Sequence, residues 1–204
     1  DISGNTAGDS CCSGGNGGGG IMNFGGTIVL NTSTVRNNTI FGSFLGGGIL
    51  NYGTMIINNS TVSGNTASMG IYNASGTITV NNSTVSGNTV GGIYNGASAT
   101  LYNSIVAGNA GTDCSGSANS GGYNLIGNNS GCTFSATTGD LVGTSAIPIN
   151  PRLTPLQDNG GSTFTHALIA GSPAINKGSP AAPGSGGNAC LATDQRGIAR
   201  PDGA

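Results

Sequence analysis

Apolar residues recur along this chain in short clusters, and the clusters follow one another in a fixed order. One cluster places Ile or Val ahead of a small polar turn: Ile2-Ser-Gly-Asn-Thr, Val35-Arg-Asn-Asn-Thr, Val62-Ser-Gly-Asn-Thr, Val85-Ser-Gly-Asn-Thr and Val106-Ala-Gly-Asn-Ala. A second reads Gly20-Ile-Met-Asn, Gly48-Ile-Leu-Asn, Gly70-Ile-Tyr-Asn and Gly92-Ile-Tyr-Asn. A third reads Thr27-Ile-Val-Leu, Thr54-Met-Ile-Ile, Thr77-Ile-Thr-Val and Ser98-Ala-Thr-Leu. In the middle of the chain the period is 22 residues (Gly48, Gly70, Gly92) or 23 (Val62, Val85). Apolar and polar positions alternate within each cluster, which predicts strands, and the Gly and Asn between clusters predict turns. Three short strands per period of this length make one coil of a parallel β-helix, a solenoid whose coils stack.

Stacking the repeats predicts four internal rows. They are Ile28, Met55, Ile78, Ala99; Leu30, Ile57, Val80, Leu101; Val35, Val62, Val85, Val106; and Ile21, Ile49, Ile71, Ile93. Each buried aliphatic side chain of this kind contributes about 1.5–3 kcal/mol. Asn5, Asn38, Asn65, Asn88 and Asn109 form a polar counterpart, a ladder in which each amide can donate to the next. Its Asn residues are expected to take the left-handed corner conformation, with Gly64 and Gly87 supplying positive φ beside them. Asn23, Asn51, Asn73 and Asn95 form a second ladder. Conformational need explains these residues without a ligand. Ser83 is expected to face outward, as are the rows Thr34, Thr61, Thr84 and Thr39, Thr66, Thr89.

Composition narrows the function. Charged residues are 6% of the 204, Gly numbers 40, and the net charge is −2, so no basic patch for nucleic acid is expected. The outward row Val29, Ile56, Thr79, Thr100 is too mixed for a flat ice-binding array. Apolar runs fall short of the roughly 20 residues of a membrane span. The chain opens inside a coil motif, which reads as an exported product that has lost its signal. Five cysteines occur, with one histidine, His166, a set whose spacing fits no zinc site. Cys114 and Cys132 flank one loop-rich segment and are expected to pair, in an oxidising, extracellular setting.

Enzymatic β-helices need carboxylates or a basic residue on one face. Between Gly20 and Gly111 this chain holds a single charge, Arg36, so that face is expected to be chemically empty and the protein not to be an enzyme. The remaining charges are expected at the ends of the stack. Asp158 and His166 are close enough in sequence to meet, although a structural turn at "DNGG" and a hydrogen-bonded His are the favoured reading. Asp194 and Arg196 are expected to form an ion pair or to cap a loop. The repeats lack the clustered carboxylates that calcium needs, and no cofactor is expected. Sequons stand at Asn31, Asn37, Asn58, Asn59, Asn73, Asn81, Asn82 and Asn128, so covalent glycans are expected partners.

"GGIYN…TVNNSTVSGN" resembles the repeats of bacterial right-handed β-helix surface proteins, including polymorphic outer-membrane-protein-like adhesins. "PRLTPLQDNGGSTFTHALIAGSPAINKG" (Pro151–Gly178) and "CLATDQRGIARPDGA" (Cys190–Ala204) are similar to the terminal coils of choice-of-anchor Q domain proteins. The resemblance implies an all-β, right-handed parallel β-helix on or outside the cell, with no catalytic residue to carry over. Two departures stand out. The cysteine that follows "RP-x-G" in the family is absent here, which leaves Cys190 needing another partner, and Asn176 stands where the family tends to have an acid.

The combined reading is a β-helix over residues 1–150 and a capping or docking segment over 151–204 that continues it. The expected role is structural. Copies assemble head to tail into an extracellular filament or surface layer through open strand edges, with Cys190 bonded to Cys11 or Cys12 of a neighbour. A monomeric adhesin or carbohydrate-binding β-helix is the alternative, ahead of a polysaccharide lyase.

Overall fold

The computed structural model describes residues 1–7, 17–41 and 45–200, and among these the chain is all strand and turn. Every pairing between its strands is parallel, and it is a parallel β-helix. Each coil has three faces. The first is built from Ile21–Asn23, Ile49–Asn51, Met69–Asn73 and Gly91–Asn95; the second from Thr27–Asn31, Thr54–Asn58, Thr77–Asn81 and Ser98–Tyr102. The third runs from Ile2–Ser3 through Thr34–Arg36, Thr61–Ser63, Thr84–Ser86, Ile105–Val106 and Leu125–Ile126 to Leu141–Val142. The nine-residue strand Thr112–Ser120 pairs with both Gly91–Asn95 and Ser98–Tyr102, fusing the first two faces into one sheet.

The registers reproduce all four predicted rows. Ile28 lies beside Met55, then Ile78 and Ala99; Leu30 beside Ile57, then Val80 and Leu101. Val35, Val62, Val85 and Val106 are in line, as are Ile21, Ile49, Ile71 and Ile93. In the middle coils these side chains are buried. Cys114 continues the Ile93 row and is disulfide-bonded to Cys132 across a Cα–Cα distance of 5.2 Å, within the ordinary range for such bonds.

Each corner is held by a polar ladder inside the turn. At the corner between the third and first faces, Asn38, Asn65 and Asn88 are fully buried. Asn65 donates both its backbone N–H (3.1 Å) and its Nδ2 (3.0 Å) to Asn88 Oδ1. The same pair of bonds links Asn5 to Asn38, Asn38 to Asn65, and Asn88 to Asn109. Each run of buried donors thus meets an acceptor, as burial demands. The positive φ does not fall on the ladder Asn, as expected from sequence, but on the residue before it: Asn37 (52°), Gly64 (66°) and Gly87 (71°). The ladder Asn needs its own backbone N–H aimed at the next Oδ1, and the preceding residue makes the turn. Gly70 of the second cluster is explained by the same ladder, because a Cβ there would lie 2.6 Å from Asn88 Cγ.

The second ladder, Asn23, Asn51, Asn73 and Asn95, is hydrogen-bonded amide to amide as predicted. The remaining corner holds a third ladder, of serines. Ser33, Ser60 and Ser83 each donate a backbone N–H to the next Oγ, in steps of 27, 23 and 21 residues that end at Ser104. Ser83 is therefore buried and does not face outward as expected. The serine faces inward because the residue ahead of it turns the corner in the left-handed region: Thr32 (46°), Asn59 (44°), Asn82 (50°) and Asn103 (45°). Two ladders end on a carboxylate: Asn109 donates to Asp113 Oδ1, and Asn124, which follows Ser104, donates to Asp140 Oδ1.

Residues 151–200 do not extend the stack. They fold back along the third face of their own solenoid, with three antiparallel bridges, Leu153 to Leu168, Gln157 to Thr165 and Thr193 to Ala199, as their main internal pairing. Arg36, which also pairs with Asp1 at 2.9 Å, lies 4.4 Å from the centre of the Phe164 ring near one end of this packing.

Candidate functional site

The lateral segment is fixed by the outward side chains of the corner whose inner side carries the serines. Asn59 donates to Thr193 O (2.8 Å) and accepts from Arg200 (3.2 Å). Asn82 Oδ1 accepts from Leu191 N (3.0 Å). Asn103 accepts from Ser179 N and donates to Asn188 O, both at 2.9 Å. Further along the face, Gln195 donates to Thr34 Oγ1 and accepts from Thr61 Oγ1. Thr34 and Thr61 do point away from the coil, as predicted, but the segment covers them and they are buried. In the outward row Thr39, Thr66, Thr89, Thr39 and Thr66 share a hydroxyl hydrogen bond of 2.7 Å and Thr89 is exposed.

Between the segment and the third face lies a cleft of about 490 Å³. Thr84, Ile105 and Leu141 come from the solenoid, and His166, Lys177, Cys190, Asp194, Arg196 and Arg200 from the segment. The face expected to be chemically empty is thus given its charges by the lateral segment, and those charges lie along the side of the stack. Its size is that of a small-ligand site.

Asp158 and His166 do not pair. Asp158 caps the turn by accepting from Gly160 N, while His166 lies between Thr154 O (2.7 Å from Nδ1) and Ser63 Oγ (2.9 Å from Nε2). A carbonyl only accepts, so Nδ1 carries the proton and Nε2 accepts from the serine. Burial lowers the His166 pKa, partly countered by the bond to Thr154, and so favours this neutral form. The Ser–His contact has nucleophile–base geometry, but Ser63 is only 3% exposed, and the pair joins the segment to the coil.

Asp194 and Arg196 form the predicted ion pair, at 2.6 Å, and Asp194 Oδ1 also accepts from the backbone of Arg196 and Ile198. Burial raises the Asp194 pKa, but the hydrogen bonds from Arg196 and Ile198 outweigh it and hold the carboxyl below its ordinary value. Asp113 moves the other way: burial pushes it up, against the Asn109 bonds that pull it down. Among the described residues no group of three or more His, Cys, Asp or Glu lies close enough to hold a metal ion. Among the described residues there is no helix long and apolar enough to cross a membrane.

The sequons divide by burial. Asn73 is fully buried in the second ladder, and Asn59 is 5% exposed with its amide bonded to Thr193, so neither can carry a glycan in the folded protein. The Asn58 amide donates to Asn31 Oδ1, and Asn81 Oδ1 is shielded without a partner. Asn82 is half-buried under Leu191. Asn31 and Asn37 are exposed, and Asn128 is half-buried. Cys190 sits in the cleft wall, 3.5 Å from Asn103 Oδ1, with no disulfide partner among the described residues; Cys11 and Cys12 lie outside them.

The corner role of Asn59, Asn82 and Asn103 escaped the sequence reading, although their shared place ahead of the ladder serines was a usable signal. Comparison with known proteins yields no match to a family model, a curated protein or a solved structure.

Proposed function

We propose that this chain is an exported, non-enzymatic β-helix that binds carbohydrate in the lateral cleft. One observation carries the reading: the cleft sets free polar groups over an apolar floor. The Thr84 hydroxyl, the Tyr123 hydroxyl and the Lys177 ammonium make no hydrogen bond among the described residues, while Ile105, Leu141 and Leu153 line the same space. A sugar ring offers the complementary mixture of hydroxyls and apolar C–H faces. The Cys114–Cys132 disulfide supports an extracellular setting, and the likeness to surface adhesins agrees with it. The test is an oligosaccharide array probed with the intact protein and with Ala174→Trp, which fills the cleft. Retention lost in the variant, with unchanged circular dichroism, is expected; equal retention by both sinks the reading.

A head-to-tail filament is the second reading. It is favoured by an apolar layer, Ile2, Ile21, Ile28 and Leu30, that is only partly buried among the described residues while its partners in the next coils are covered. The lateral position of residues 151–200 means that such contacts use the coils themselves. Negative-stain microscopy decides this, and isolated particles at every concentration argue against it. Glycans at Asn31, Asn37 or Asn128 remain part of either reading, and the mass of the native chain tests them.

A further inference from the structure

The chain has five Lys and Arg against seven Asp and Glu, yet three of the five cations, Lys177, Arg196 and Arg200, line the lateral cleft, and among the described residues Asp194 is its one carboxylate. That carboxylate is engaged by Arg196. Among the described residues Arg200 donates only to neutral acceptors, Thr193 O and Asn59 Oδ1, and the exposed Lys177 ammonium has no hydrogen-bond partner. Counted over the described residues, an otherwise acidic protein therefore places an excess of two positive charges in one concavity. Apolar walls of low dielectric strengthen the field inside such a cleft. The field is wasted on a neutral sugar and favours a carboxylate.

We propose that the cleft selects acidic oligosaccharides, with a uronic-acid carboxylate facing the unpartnered Lys177 ammonium, in the field of Arg200 and Arg196, while the sugar hydroxyls meet Thr84 and the Tyr123 phenol. This specificity rests on the carbohydrate reading given above. A charged hydrogen bond is stronger than a neutral one and fixes orientation, so one carboxylate per bound segment suffices to set register along the cleft.

The experiment is calorimetry of the intact protein with hexagalacturonate and with the same hexamer as its methyl ester, which keeps the shape and removes the charge. The acid is expected to bind about tenfold more tightly than the ester. Lys177→Gln should weaken the acid about three- to fivefold and leave the ester unchanged. Arg200 also anchors the segment, so its variant is less clean, and Lys177→Glu provides the second test, with a larger loss for the acid only. Equal binding of acid and ester overturns the acidic specificity and leaves the carbohydrate reading standing. Preference for the acid that neither Lys177 variant alters places the site elsewhere and overturns the proposal. No binding of either hexamer, nor of any sugar on the array, removes the carbohydrate reading and this inference together.

Discussion

In the coils, Asn65 bonds to Asn38 on one side and Asn88 on the other, the same residue in the same place each time. In the lateral segment, the Arg200 guanidinium bonds to Asn59, and the backbone N–H groups of Leu191 and Ser179 bond to Asn82 and Asn103, at places that share no sequence period. The coils are self-templating: a residue that suits one level suits the next, so repetition in sequence becomes repetition in space. The lateral segment is fitted to a surface that already exists, and its contacts join residues 76 to 162 positions apart. The difference predicts that a lesion in the coils spreads through the whole fold, whereas a lesion in the segment's anchors stays local.

The largest effect is expected from Asn65→Ala. It leaves the backbone and amide donors of Asn38 without their acceptor, at about 1–3 kcal/mol each, so urea unfolding should show a loss of about 4 kcal/mol. A loss no greater than that of an exposed Asn would mean that the ladders do not hold the corners. Reduction of Cys114–Cys132, which closes a separation of 18 residues, should lower stability by about 3 kcal/mol in the same assay. Asn103→Gly keeps the left-handed backbone and removes only the anchor. Local opening should become easier by about 1–2 kcal/mol, seen as faster proteolysis between Ser179 and Cys190 with an unchanged global midpoint. If instead the global midpoint falls as far as in Asn65→Ala, the two regions are one cooperative unit.

The smallest effect is pH-dependent. His166 is held neutral by burial between Ser63 and Thr154, with its folded pKa below the ordinary 6.5. The unfolded chain therefore takes up the proton first as pH falls, so stability is lost between pH 6.5 and the lower folded value. Urea midpoints of the native protein should drop from pH 7.5 to pH 5 more than those of His166→Gln; parallel curves would show that His166 is not held neutral.

The same contrast explains what the sequence made legible. The four apolar rows and both Asn ladders were readable because each is a column of like residues at a fixed period. The serine ladder was not, because in "NNST" the Ser and Thr are equally small and polar, and only the left-handed turn at Asn59 or Asn82 decides which faces in. The cleft was invisible for a different reason. Its solenoid wall is the unremarkable row of Thr84 and Ile105, and its charges lie in Ala174–Arg200, a stretch without periodicity. The charges missing from the repeats lie one fold-back away.

Hydrogen exchange of the intact protein with and without hexagalacturonate tests the central claim most directly, because it locates the ligand. The account predicts slowed exchange at once in Asn82–Ser86, in Ala174–Ser179 and in Asp194–Arg200, the two walls of one cleft. Protection confined to the first or second face, with those three stretches unchanged, would contradict it.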